Sequence, residues 1–155
     1  MTSGSQIMGH LKSNPCFNGL NCKVVFMNDN IDLSNVQRPF AYIINIESED
    51  GGVGHWVVLF HDGGLSRDLV YFDSFGAPPP EFILNNISTC ELFNHCEYNS
   101  FPIQHKSSKV CGLYSLLCVY FLFCKKTDLE TFVNVFSSDL CENDRGIISI
   151  YSGLF

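Results

Sequence analysis

Cys111 follows the polar segment Lys106-Ser107-Ser108-Lys109 by one valine and precedes an apolar run from Gly112 to Cys124. Such a run reads as a buried helix, which puts the thiol at a helix start. There the positive end of the macrodipole and the unpaired N–H groups stabilise thiolate. Lys106 and Lys109 add positive charge nearby. The chain holds eight cysteines, and free cysteine is among the most buried residue types. Position alone therefore weights a reactive and a structural thiol about equally.

A thiolate nucleophile needs a base, a group to orient the base, and donors for the oxyanion that forms on the attacked carbonyl. His55 ends the glycine-rich turn Gly51-Gly52-Val53-Gly54 where an apolar strand begins, so its ring can be held rigidly with space in front of it. Asp73 follows the strand Leu69-Val70-Tyr71-Phe72, at the rim of a sheet, where a carboxylate can accept from an imidazole and fix its tautomer. Gln104 lies seven positions before Cys111 and can offer a side-chain amide to the oxyanion beside the Cys111 N–H. Each has a plainer alternative: a polar strand-edge histidine among five, a turn-initiating aspartate, a solvated glutamine. The four roles nevertheless occur together, in the order His, Asp, Gln, Cys, each at an element boundary. That conjunction favours nucleophilic chemistry at a carbonyl.

These residues need a scaffold. Phe40 to Ile46, His55 to His61 and Leu69 to Phe72 read as three strands of a meander, separated by the polar cluster Glu47 to Gly52 and by Asp62-Gly63-Gly64. Gly76-Ala77-Pro78-Pro79-Pro80 cannot continue a strand, because proline lacks the ladder donor. Glu81 to Ile87 is expected to be helical, and Phe101 to Gln104 to form a short strand. The helix from Cys111 to Cys124 is followed by Thr127-x-x-Glu130, a capping-box pattern for a helix reaching about Phe136. Gln6 to Lys12 suits a short helix behind a frayed Met1 to Ser5. The expected class is α+β: one domain over 1–155, with a largely antiparallel sheet packed on a helix that bears the nucleophile.

Composition narrows the function classes. With 9 basic and 16 acidic residues the formal charge is −7, and no basic run exceeds Lys125-Lys126, so nothing favours a nucleic-acid partner. No stretch reaches the roughly 18 apolar residues of a membrane span. No C-x-x-C pair occurs, which argues against a structural metal. The first thirty residues lack the pattern of a secretory signal, so a reduced, intracellular chain is expected.

The segments Gly51-Gly52-Val53-Gly54-His55-Trp56, Tyr71-Phe72-Asp73-Ser74-Phe75-Gly76, and Gln104 through Cys111-Gly112-Leu113 resemble the adenovirus-type maturation proteases, a branch of the group that includes the SUMO and ubiquitin-like-protein proteases. The resemblance spans roughly Phe40 to Phe123. The adenovirus branch places glutamine seven positions before cysteine, as here, and the SUMO proteases usually one position closer. Gly54 is inserted into a pattern that usually runs Gly-Gly-Val-His-Trp, and Asp73 stands where the adenovirus enzyme has glutamate. The resemblance implies a permuted papain-like core and a cysteine endopeptidase with His55, Asp73, Gln104 and Cys111 as catalytic residues. It further implies a narrow substrate channel involving Gly51, Gly52 and Trp56, suited to glycine-containing sites.

It also implies capsid or other virion precursors as partners and a short relative of the kind found in virophages and virus-like transposons. Such an enzyme would act as a monomer in the virion and in host cytoplasm or nucleus. No cofactor or metal is implied. An activating peptide is, with Cys96 as a candidate for a disulfide to it, whereas the acidic charge gives a DNA cofactor no support. Two alternatives stand beside this reading: a deconjugase of ubiquitin-like modifiers, and an inactive virion or adaptor protein on the same fold.

Overall fold

A computed structural model describes residues 2–27, 29, 31–46 and 54–155. Five strands, β1 (Asn21–Phe26), β2 (Phe40–Ile46), β3 (His55–His61), β4 (Asp68–Phe72) and β5 (His95–Tyr98), lie side by side in chain order. The central three form the expected antiparallel meander, and their bounds agree with the sequence reading to within one residue. Both flanking strands pair in parallel, β1 with β2 and β5 with β4.

The sheet is covered on both faces, and alternation along the strands sends side chains to two separate cores. Ala41, Ile43, Trp56, Val58, Phe60 and Phe72 pack against a helical layer. Phe40, Tyr42, Ile44, Val57, Leu59, Leu69 and Tyr71 pack on the other face, under Ile83 and Ile87 of α2 (Glu81–Ser88). Burial on both faces explains why β2 and β3 read as continuous apolar runs rather than alternating ones.

The helical layer is built from α1 (Gly4–Ser13), α3 (Cys111–Val119), α4 (Leu129–Asn134) and α5 (Leu140–Leu154). Eight of the nine residues of α3 are buried, so the helix has no polar face. It continues as a π-helical turn, Tyr120–Cys124, and ends at Lys126, whose φ of 55° no helix accommodates. Ser115 Oγ donates to the Trp56 carbonyl (3.1 Å), fixing the first turn of α3 against the start of β3.

Several expectations give way here. Phe101 to Gln104 is not a strand; β5 lies just before it, in the polar segment that offered no apolar alternation. The cap of α4 is Asp128 rather than Thr127. The Asp128 carboxylate accepts from Thr131 N–H (2.7 Å), while the Thr127 hydroxyl donates to the Phe121 carbonyl (2.9 Å). Thr2 to Ser5 is not frayed. Ser3 caps α1 in a reciprocal box with Gln6, and the Trp56 indole N–H donates to the Thr2 carbonyl (3.0 Å). Strand β1 and helix α5 have no counterpart among the elements expected from the sequence.

Cys16 and Cys124 form a disulfide across 108 residues. Their meeting depends on the segment Pro15–Phe17 packing on the π-helical turn, which cysteine spacing along the chain does not reveal. No described helix is long and apolar enough to cross a membrane, and among the described residues no cluster of His, Cys, Asp and Glu could hold a metal ion.

Candidate active site

The register of the meander decides the site. Val58 pairs with Phe72, so the start of β3 and the end of β4 lie at one end of the sheet, with His55 and Asp73 just beyond the last pair. The Ser115 anchor brings the N-terminus of α3 to the same end. Three segments distant in sequence thus deliver His55, Asp73 and Cys111 to one cleft.

His55 Nε2 lies 2.6 Å from Asp73 Oδ1, and both side chains are largely buried. The same oxygen accepts from the Phe75 N–H (2.7 Å), which fixes the carboxylate from a second direction. The Phe75 ring stacks on the imidazole, with centroids 4.4 Å apart and planes 21° from parallel. With Nε2 committed to the carboxylate, Nδ1 is the nitrogen left for other work. It is buried and carries no conventional hydrogen bond. The group it acts on is the Cys111 thiol, and each shifts the other's titration.

Burial by itself disfavours both charged forms, pushing the imidazole down and the thiol up. It is outweighed. The hydrogen bond to Asp73, the approach of the Cys111 sulfur and the charges of both raise His55 from 6.5 to about 9. The interaction with His55, together with the N–H groups of Trp56 and Gly112 directed at the sulfur, brings Cys111 below the ordinary thiol range. Both shifts favour the charged forms, thiolate and imidazolium. Burial has the opposite outcome elsewhere: it raises Cys22 to about 11, Cys96 to about 12, and Cys118 well above the usual value. Lys106 and Lys109 sit at the exposed lip, and the groups that lower the thiol pKa are His55 and the two amides.

The cleft holds about 210 Å³ and is lined by Gly54, His55, Phe75, Cys111 and the loop Lys106 to Lys109. Gln104 is not in its wall. The side chain is 1% exposed; its Oε1 accepts from Ser74 Oγ (2.5 Å), and its Nε2 donates to the Ser108 carbonyl (3.2 Å) and Ser108 Oγ (2.9 Å). Trp56 is also inside, 2% exposed, beneath Thr2 to Gly4 and beside Phe26. Gly51 and Gly52 lie outside the described residues.

Sequence reasoning missed the supports. Asn99, 4% exposed, accepts from the Asp73 N–H (3.1 Å) and donates to the Asp73 carbonyl (2.6 Å), gripping the residue by its backbone. Gly76 closes the turn with its N–H on the Asp73 carbonyl (2.8 Å) at φ 72°. A Cβ there would lie 2.4 Å from the Phe101 carbonyl carbon, so only glycine fits. Gly112 is similarly confined, since a Cβ would meet Thr2 at 2.9 Å and Trp56 at 3.3 Å. The Ser74 carbonyl accepts from Ile103 and Gln104 N–H (2.9 and 3.1 Å), joining the Asp73 turn to the Gln104 segment. From the far side, α5 holds that segment: Asn143 donates to the Ile103 carbonyl (3.0 Å), and the His105 N–H donates to Asp144 (3.3 Å). A buried Asn following a four-residue polar strand carries no signal in the sequence that separates it from a loop asparagine.

No family model and no curated protein sequence matches the chain. Solved structures do. The ASFV pS273R protease superposes with a TM-score of 0.62 at 18% identity, over 88% of this chain and 60% of that one. Its selenomethionine form gives 0.55 at 20% identity, over 75% and 43%. The fold, a mixed α+β sheet packed on helices, is shared with that protease. ChlaDub1 from Chlamydia trachomatis also matches, with a TM-score of 0.52 and 20% identity over 66% of this chain and 47% of that one. The chain therefore spans about 60% of the length of the pS273R protease and less than half of ChlaDub1.

Proposed function

We propose that this chain is a cysteine endopeptidase that processes virion precursor polypeptides, capsid proteins among them, at glycine-containing sites. The observation that carries the reading is the polarised pair: a thiol lowered and an imidazole raised to about 9 within one cleft, with Asp73 behind the ring. Structural thiols in the same core are shifted the other way, so the environment of Cys111 is specific to it.

In the proposed cycle the Cys111 thiolate attacks the scissile carbonyl, and the carbonyl π electrons move to oxygen. The Cys111 N–H and the Gln104 amide system stabilise that oxyanion. Collapse breaks the C–N bond, and His55 Nδ1–H protonates the departing amine. Neutral His55 then takes a proton from water, whose hydroxide equivalent releases the acyl group and regenerates the thiolate. Asp73 accepts from Nε2–H throughout, holding the ring and favouring its protonated form. The shallow cleft, bounded by Gly54 and the stacked Phe75, supports a preference for a small residue at the scissile position. The setting proposed is the virion and the infected cell, with the enzyme a monomer; the charge of −7 lends no support to activation by DNA.

The fold likeness to ChlaDub1 supports a second reading, removal of ubiquitin-like modifiers, which uses the same chemistry on a folded partner. Incubation with a coexpressed capsid precursor and, separately, with ubiquitin and SUMO conjugates distinguishes them. Cleavage of the first alone is expected. Cleavage by a folded Cys111→Ala variant would end both readings, whereas wild-type protein that cleaves neither substrate would favour a non-enzymatic role for the fold.

A further inference from the structure

The Gln104 amide, expected from the sequence to serve the oxyanion, does not reach the cleft. Its two N–H groups have two acceptors, the carbonyl and the hydroxyl oxygen of Ser108, at 3.2 and 2.9 Å. Its carbonyl is locked by the Ser74 hydroxyl, so the amide cannot rotate without breaking a buried hydrogen bond. Ser108, three residues before Cys111, does line the cleft. Because its oxygen accepts from Gln104, its own proton must point elsewhere, and among the described residues that hydroxyl has no acceptor. The Cys111 N–H, in the first turn of α3, likewise has no acceptor among the described residues. Two free donors, one side-chain and one backbone, thus bound the same cleft as the nucleophile.

We propose that Ser108 is the side chain that donates to the oxyanion, with Gln104 as a positioning residue acting through it. The relay runs from Ser74 O–H to Gln104 Oε1, and from Gln104 Nε2–H to Ser108 Oγ. It ends with Ser108 O–H on the developing oxyanion, each link polarising the next. No proton is transferred along it. As the sulfur–carbon bond forms and the carbonyl π pair moves to oxygen, the Ser108 hydroxyl and the Cys111 N–H strengthen their hydrogen bonds to that oxygen. This inference rests on the protease reading and refines the role of Gln104 within it.

The test compares Ser108→Ala, Gln104→Ala, the double variant and Ser108→Thr, with two probes of Cys111. Iodoacetamide alkylates the thiolate without creating an oxyanion, whereas a peptide aldehyde ending in glycinal forms a hemithioacetal that does create one. The relay requires Ser108→Ala and Gln104→Ala each to lower kcat by about 10²-fold with little change in KM. The double variant should be no worse than either single one, and Ser108→Thr should recover most of the activity. Glycinal affinity should fall in parallel while alkylation rates stay at the wild-type value, which a merely structural defect would not allow. If Ser108→Ala turns over as fast as wild type or faster while Gln104→Ala is crippled, Ser108 only masks a directly acting amide and the relay is wrong. Wild-type enzyme that alkylates at Cys111 but neither binds glycinal nor cleaves precursor would overturn the protease reading itself.

Discussion

Replacing Asp73 by asparagine separates the charge of the site from its geometry. Asp73 Oδ1 accepts from both His55 Nε2 and the Phe75 N–H, so an asparagine carbonyl is drawn into the same position and keeps the ring oriented. What disappears is the negative charge. His55 stands at about 9 against an ordinary 6.5, a difference of roughly 3 kcal/mol in favour of imidazolium that Asp73 and Cys111 supply against burial. The imidazolium is lost as pH rises through its value in the folded protein. Weakening it therefore moves the alkaline limb of kcat/KM from near 9 toward acid by about one pH unit or more. The acid limb, where Cys111 becomes thiolate, moves the opposite way, because the thiolate has lost part of the cation that stabilises it. The bell narrows from both sides, and the competent fraction at pH 8 falls about twofold for each limb that moves to that pH. Iodoacetamide labelling of Cys111 as a function of pH, followed by peptide mass spectrometry, reads the acid limb without needing a substrate. A variant whose two limbs stay in place, or move in the same direction, would refute the account of the pair.

Three further outcomes are expected. At pH 7, iodoacetamide should label Cys111 well before Cys22, Cys96 or Cys118, all of which burial has raised; equal labelling in the folded protein would remove the special status of Cys111. Gly76→Ala should lower Tm by several degrees, from about 1–2 kcal/mol of left-handed strain plus the contact with Phe101, and should depress activity by displacing Asp73; unchanged melting and turnover would contradict the steric demand of that turn. Substituting both Cys16 and Cys124 by serine reopens a loop spanning 108 residues and should cost about 4–5 kcal/mol on the chain-entropy account, seen as a fall in the denaturation midpoint; an unchanged midpoint would mean the link adds no stability.

The meander and the nucleophile helix were legible because they are the segments where composition and period agree: apolar runs bounded by Gly and Asp for β2 to β4, and an all-apolar stretch after a polar loop for α3. The proximity of His55, Asp73 and Cys111 could be anticipated because element boundaries fell beside each of them. Strand β1 was missed because Asn21–Phe26 is only partly buried and includes Lys23, so its pairing with β2 rather than its own pattern makes it a strand. Helix α5 was missed for a related reason. Its N-cap Asp139 and its buried Asn143 and Asp144 look like loop polarity until Tyr114 and Ile103 are seen to use them. The placement of Gln104 depends on hydrogen bonds to Ser74 and Ser108 that no spacing rule encodes.

The nucleophile and its base belong to different layers. His55 and Asp73 ride on adjacent strands, while Cys111 comes from α3, which is held to the sheet at that end by apolar packing, by the Ser115–Trp56 hydrogen bond and by the Trp56 N–H directed at the sulfur. Thiolate reactivity is therefore a gauge of how well the two layers are seated. Mild denaturant that loosens α3 should extinguish fast labelling of Cys111 while the strands still hold their ladder. Catalytic competence and complete folding would then be lost at different concentrations, with the site failing first.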